Sequence, residues 1–337
     1  MENYIKLRQK PIDGVLTINK NINMRDIKSI HINNIKMEDL NREYDIYASD
    51  YEDLICDIVI ELKKPINCCR LFFNCDDIIT IDLSKFDTSN VTDMSGMFSR
   101  CSKLTSIEFS DNFDTSKVTD MDNMFYYCSG LTELDLSSFD TSNVKYMHCM
   151  FNNCSGLTEL DLNHFNTSNV KYMHGMFYNC RSLTSLNLSS FNTYNVTEMH
   201  FMFNYCSGLT ELDLSSFDTS NVINMSSMFN NCSSLTSLDL NHFDTFNVED
   251  FMHMFWNCNN LITLDISNFN INKENTFIKN MIKCDKLKTL NIKNVKINEN
   301  NKYLSYFLED IKNVKNVIIN PKNNLSLYRR LKEVRYK

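Results

Sequence analysis

The chain has 337 residues, 43% hydrophobic and 23% charged, with a formal net charge of −8. Those proportions exclude a disordered polymer and fit a folded protein with a large core. No apolar run in the first thirty residues is long enough for a signal-peptide core, and no segment approaches the roughly 20 apolar residues of a membrane span. The expectation is a soluble protein, cytoplasmic by default. With only six Gly and three Pro, Asn and Ser must supply most of the turns.

In chain order, "GVLTINKNI" and "IKSIHINNIKM" read as strands of an N-terminal β-rich cap over residues 1–52. The segment 53–75, with "LICDIVIEL" as a strand followed by "PINCCRLFFNC", reads as a degenerate first repeat. From residue 76 to 296 one register governs the sequence. Cys75, Cys101, Cys128, Cys154, Cys180, Cys206, Cys232, Cys258 and Cys284 recur every 26 residues with a single interval of 27, caused by an extra residue in "IEFSDNFDTSKV". Such a period marks a solenoid, whose units bury a core only by stacking.

The consensus unit is "LTELDLSSFDTSNVxxMxxMFxxCSG". In "LTELDL", Leu134 and Leu136 alternate with Glu133 and Asp135, the spacing of a half-buried strand. Val144, Met147, Met150, Phe151 and Cys154 then follow at steps of three and one, which predicts an amphipathic helix of about three turns. "SFDTSN" would cap its start, Asn90 with Asp93 resembling a capping box, and Ser-Gly at 129–130, 155–156 and 207–208 would form a left-handed stop. The predicted fold is an α/β solenoid of about nine strand-loop-helix units. Strands spaced about 4.8 Å apart and helices about 8–10 Å apart would make it curve, with a parallel sheet on the concave side. "KYLSYFLEDIK", "VKNVIIN" and "NNLSLYRRLKEVRYK" read as helix, strand and helix of a basic C-terminal cap over 297–337.

From about Asp76 to Asn268 the pattern "LxxLxL...F.TSNVxxMxxMFxxC" resembles the BspA-like leucine-rich repeats of bacterial surface proteins, and "VxxMxxMFxxC" is similar to the helical half of the Treponema-type repeat. Phe86, Phe113, Phe139, Phe165, Phe191, Phe217, Phe243 and Phe269 stand where general leucine-rich repeats carry a buried Asn. The resemblance implies a protein-binding or adhesive role, and a cell-surface location as the alternative to the cytoplasm.

Residues 76–268 hold 24 acidic and 7 basic side chains, whereas 269–337 hold 6 and 16. Much of the acidity forms a strand ladder: Asp82, Glu108, Asp135, Asp161, Asp213, Asp239 and Asp265, with Asn187 and Asn291 at the same position. Together with Glu133, Glu159 and Glu211 these are the candidate partner-binding residues. Like charges at strand spacing repel, so one reading is a face awaiting a protein or peptide partner, a basic one included. The other is a solubilising face copied by repeat duplication. Nucleic acid would be repelled by it.

Other columns carry blander readings. Thr132, Thr158, Thr184, Thr210 and Thr236 suit strands. His148, His174 and His200 share one position, but on helices 8–10 Å apart no four-ligand metal shell assembles. The cysteine column packs as small apolar residues, leaving Cys68, Cys69 and Cys149 as the candidate reactive thiols. No phosphate loop, nucleophile elbow or zinc motif is present, so no catalytic residue, cofactor, metal or small-molecule substrate is expected. Two functional classes remain: a recognition module using its acidic strand face, and a structural spacer docking through its basic C-terminal segment.

Overall fold

The computed structural model describes residues 3–12, 15–17, 19–45, 55–110, 113–322 and 324–335. Parts of the expected N-terminal cap and first repeat (46–54) and of the insertion (111–112) lie outside the described residues. The chain forms two compact units, Met1–His164 and Phe165–Lys337.

In the first unit, Tyr4–Gln9 lies antiparallel between Cys56–Leu62 and Ile78–Asp82. Ile27–Ile32 flanks Cys56–Leu62, and Ser106–Glu108 extends the sheet in parallel beyond Ile78–Asp82. Isoleucine and leucine at alternate positions (Ile5, Leu7, Ile58, Ile60) bury one face of this sheet. Where a solenoid would otherwise expose the carbonyls of its first turn, Asn19 Nδ2 donates to Leu71 O at 2.8 Å and Asn21 Nδ2 to Phe73 O at 3.0 Å. Side-chain amides thus stand in for a preceding coil and block its open edge.

The helical half of each repeat is not a helix, which corrects the α/β expectation. Amides alternate between two destinations. Met97, Ser99 and Cys101 donate within the coil to the carbonyls of Met94, Gly96 and Phe98 at 3.0–3.2 Å. Met94, Gly96, Phe98 and Arg100 instead donate to Asp120, Asp122, Met124 and Tyr126 of the next coil at 2.6–2.9 Å. The same alternation runs through the second unit, where Met173, Gly175, Phe177 and Asn179 donate to Glu198, His200, Met202 and Asn204. Half the amides leave for a neighbouring coil, so the i−4 bonds of a helix cannot form.

A three-residue spacing is shared by helices and by successive turns, and backbone sign separates them. Each coil from Arg70–Asn74 to His253–Asn257 carries two left-handed residues four apart, such as Cys149 (φ 54°) and Asn153 (φ 61°), or Gly175 (φ 60°) and Asn179 (φ 56°). A helix interior does not contain them. The Ser-Gly glycines are not the left-handed stop that was expected. A Cβ on Gly156 would lie 2.6 Å from Leu131 O, so that glycine permits close coil packing.

Stacked phenylalanines set the coil spacing. Phe72, Phe98, Phe125 and Phe151 follow with ring centroids 5.3–5.7 Å apart, and Phe177, Phe203, Phe229 and Phe255 at 5.7–5.8 Å, all nearly parallel. The 8–10 Å helix spacing is absent, and with it the reason for expecting curvature. The expected column of nine paired strands is also interrupted: among the described residues, no strand is present between Glu108 and Phe255. There the strand halves contribute single contacts, such as Thr158 N to Thr132 O at 3.2 Å. The turn half therefore carries the continuous ladder of each unit.

Two buried side-chain columns reinforce it. Thr167 Oγ1 donates to Asn192 O and accepts from Asn192 N, both at 2.8 Å, and Thr115 is paired in the same way with Asp140. Cys101, Cys128 and Cys232 donate their thiols to Phe72, Phe98 and Phe203 carbonyls of the preceding coil at 3.0 Å. The cysteines are therefore donors as well as packing groups. At the far end, helix α1 (Leu304–Ile311) buries Leu304, Phe307, Leu308 and Ile311, and helix α2 (Leu325–Arg335) buries Leu327 and Leu331. Asn316–Ile318 pairs in parallel with Thr289–Asn291, which pairs with Thr263–Asp265.

Candidate functional site

Each ladder aspartate sits where an extended segment ends and the chain turns towards the buried Phe. Its side chain accepts the amide two residues on, an Asx turn. Asp135 Oδ1 accepts from Ser137 N, Asp161 from Asn163 N, Asp213 from Ser215 N and Asp239 from Asn241 N, all at 2.9 Å. Asn187 and Asn291 make the same bond to Ser189 N and Lys293 N at 3.0 and 3.1 Å. The column thus demands an acceptor oxygen. Charge is optional, and the two asparagines were the sequence signal of that demand.

The candidate residues are distributed over both units. In the first, Glu108, Glu133, Asp135, Glu159 and Asp161 are exposed, and Asp82 is half-buried opposite Glu108. In the second, Glu211, Asp213 and Asp239 are exposed, while Asp265 is half-buried beside Asp239. Hydrogen bonds from the Ser137 amide and hydroxyl hold the Asp135 carboxyl below its usual range, and those of Ser215 do the same for Asp213. These groups are fully charged at neutral pH.

An Asx turn uses one carboxylate oxygen and leaves the other to accept a further donor. At two places the chain fills that second oxygen itself. Asp82 Oδ1 accepts Ser84 N at 2.9 Å, while its Oδ2 lies 2.6 Å from Lys6 Nζ. Asp265 Oδ1 accepts Ser267 N at 2.8 Å, while its Oδ2 accepts Asn291 Nδ2 at 2.7 Å. Beside Asp265 lies an open hollow of about 380 Å³. Leu238, Leu264 and Ile318 provide its apolar surface, and Asp239, Asn241 and Asn291 stand among its polar lining.

Three histidine and thiol expectations change with the coil spacing. The rings of His174 and His200 stack 4.5 Å apart, far closer than helices would allow. His200 Nδ1 lies 3.1 Å from Glu198, and His148 Nδ1 lies 2.6 Å from Asp122. Among the described residues no group of three metal-ligating side chains gathers. Cys68 is buried, and burial pushes its thiol up to about 12. Cys149 is half-buried and pushed up to about 11 by the same cause. Neither is a reactive thiolate. No helix among the described residues is long and apolar enough to cross a membrane.

The sequence profile of the family described as "Mycoplasma protein of unknown function, DUF285" matches residues 66–186, 105–209 and 172–296. No curated protein matches the chain. Among solved structures, a leucine rich cell surface protein from Faecalibacterium prausnitzii aligns over 76% of this chain and 86% of its own, with 15% identity and a TM-score of 0.24. The protein of a TLR13–ssRNA13 complex aligns over 75% of this chain and 52% of its own, with 14% identity and a TM-score of 0.21.

Proposed function

Since the chain belongs to the DUF285 family, we propose for it a non-catalytic recognition role, in which the strand-half face binds lysine- or arginine-bearing protein segments. One observation carries this reading. The Lys6–Asp82 pair is a working example, within the chain, of how a ladder aspartate takes an ammonium group on one oxygen while its turn keeps the other. Asp135 and Asp161 on adjacent coils of the first unit, and Asp213 and Asp239 on adjacent coils of the second, repeat the same turn, are exposed, and offer the same second oxygen. A partner chain with basic side chains at matching intervals would meet the two aspartates of one unit at once, so weak individual contacts would add through multivalency. The hollow beside Asp239 and Asp265 could take an apolar side chain of the same segment.

The test replaces Asp135, Asp161, Asp213 and Asp239 together by Asn, which preserves the turn acceptor and removes the charge. Binding of a fluorescent oligolysine peptide is followed by anisotropy at low and high salt. The wild type should bind in a salt-sensitive way and the Asn variant should bind at least about tenfold more weakly. Undiminished binding by a variant that retains the wild-type circular dichroism spectrum sinks the proposal.

A further inference from the structure

The chain carries two sets of charges that do not neutralise one another internally. Among the described residues, Asp135, Asp161, Asp213 and Asp239 form no ion pair with a lysine or arginine. Near the C-terminal end, Lys279, Lys283 and Lys302 are exposed and likewise form none.

Those lysines are held by aromatic rings. Lys283 Nζ lies 4.4 Å from the Trp256 ring centre, and Lys279 Nζ lies 5.1 Å from that of Tyr306. Lys302 Nζ lies 5.1 Å from the Tyr303 ring and 5.8 Å from that of Phe277, and those two rings stack at 4.9 Å. Cation–π contact orders an ammonium group without cancelling its charge. It also occupies ring faces on which nucleic-acid bases would stack, so the patch presents ordered positive charge rather than a stacking platform.

We infer that this lysine patch of one copy docks on the exposed ladder aspartates of a second copy. The inference rests on the lysine-accepting role proposed for those aspartates. Charge complementarity names the occupant: residues 76–268 hold 24 acidic against 7 basic side chains, and residues 269–337 hold 6 against 16. Donor and acceptor surfaces differ, so the contact is heterologous and propagates into an open string of copies instead of closing as a symmetric pair. Exposed charge pairs are screened by salt, so the string dissociates as ionic strength rises.

Sedimentation velocity of the full chain at about 50 mM and about 500 mM salt tests this, since screening differs severalfold between them. The wild type should show species larger than a monomer at low salt that disappear at high salt. Two variants should each lose them: K279E/K283E/K302E, and the fourfold Asp135, Asp161, Asp213 and Asp239→Asn chain. An equimolar mixture of the two should form one-to-one dimers and nothing larger, because each variant keeps one working surface. A wild type that stays monomeric at low salt overturns the inference, as does a mixture that fails to pair.

Oligolysine binding separates the two levels. If oligolysine binds the wild type and not the Asn variant while the wild type remains monomeric, self-docking falls and the lysine-accepting face stands. If oligolysine does not bind, both fall. A monomeric wild type that binds anionic phosphatidylserine vesicles through the three lysines overturns self-docking in favour of a lipid surface.

Discussion

Lys6 Nζ lies 2.6 Å from Asp82 Oδ2 while Asp82 Oδ1 accepts the Ser84 amide, so one carboxylate completes a turn and an ion pair at the same time. Burial pushes the Asp82 carboxyl up, but Lys6 and Ser84 outweigh it and the net shift is downwards. The two roles are separable by substitution. Asp82→Asn keeps the turn and should lower stability by no more than about 1 kcal/mol, because the lysine is half-exposed. Asp82→Ala removes both roles and should lower it by about 1–3 kcal/mol. Urea denaturation of the two variants checks the order.

The threonine column should be more sensitive than the aspartate column. Thr167 is fully buried and serves both the amide and the carbonyl of Asn192. Thr167→Val preserves shape and takes this partner from both part-buried groups, at a cost of about 1–3 kcal/mol. Thr167→Ser retains the hydroxyl and should recover most of that loss. Equal midpoints for the Val and Ser variants in thermal denaturation would count against the hydroxyl bridge.

The buried thiols should be silent in the folded protein. Cys128 and Cys206 are fully buried, and burial pushes both up to about 12. Alkylation at pH 8 followed by mass spectrometry should leave them unmodified until urea is added, while the half-buried Cys69 reacts first. Cys149, half-buried and pushed up to about 11, should react more slowly than a thiol in the unfolded chain. Rapid native modification of Cys128 would contradict the coil packing.

Asp310 makes helix α1 pH-sensitive. Burial pushes its carboxyl up to about 7, with Lys283 offsetting part of the effect. An unfolded aspartate titrates near pH 4, so between about 4 and 7 the folded chain keeps a proton that the unfolded chain releases. Stability therefore falls as pH rises through that window, by a few kcal/mol from this group, and is unaffected by it below about pH 4. Asp310→Asn should raise the melting temperature at pH 8 and leave it nearly unchanged at pH 4. A variant with the wild-type pH profile would remove Asp310 as the cause.

Much of the molecule was legible before any coordinates. The cysteine interval gave the coil length, and the phase of Val144, Met147, Met150, Phe151 and Cys154 identified side chains that are all fully buried. The ladder reads in the sequence as outward-facing charge, and the asparagines at positions 187 and 291 were the available signal that it needs an acceptor oxygen. What misled was period: steps of three fit a helix and a run of turns equally, and the left-handed preference of Asn153, Asn179, Asn231 and Asn257 was the discriminating detail.

The sequence by itself determined the repeat length, the inward-facing residues and the separation of acidic coils from a basic end, because each is a property of spacing or composition. Only the tertiary structure decided how coils join. Whether an amide bonds four residues back or to the next coil depends on a neighbour some 26 residues away, as between Phe98 N and Met124 O. That choice set ring spacings of 5.3–5.8 Å instead of helix spacings, and brought His174 against His200. It also left Lys6 facing Asp82, since residues 76 positions apart meet only when Tyr4–Gln9 and Ile78–Asp82 share a strand register.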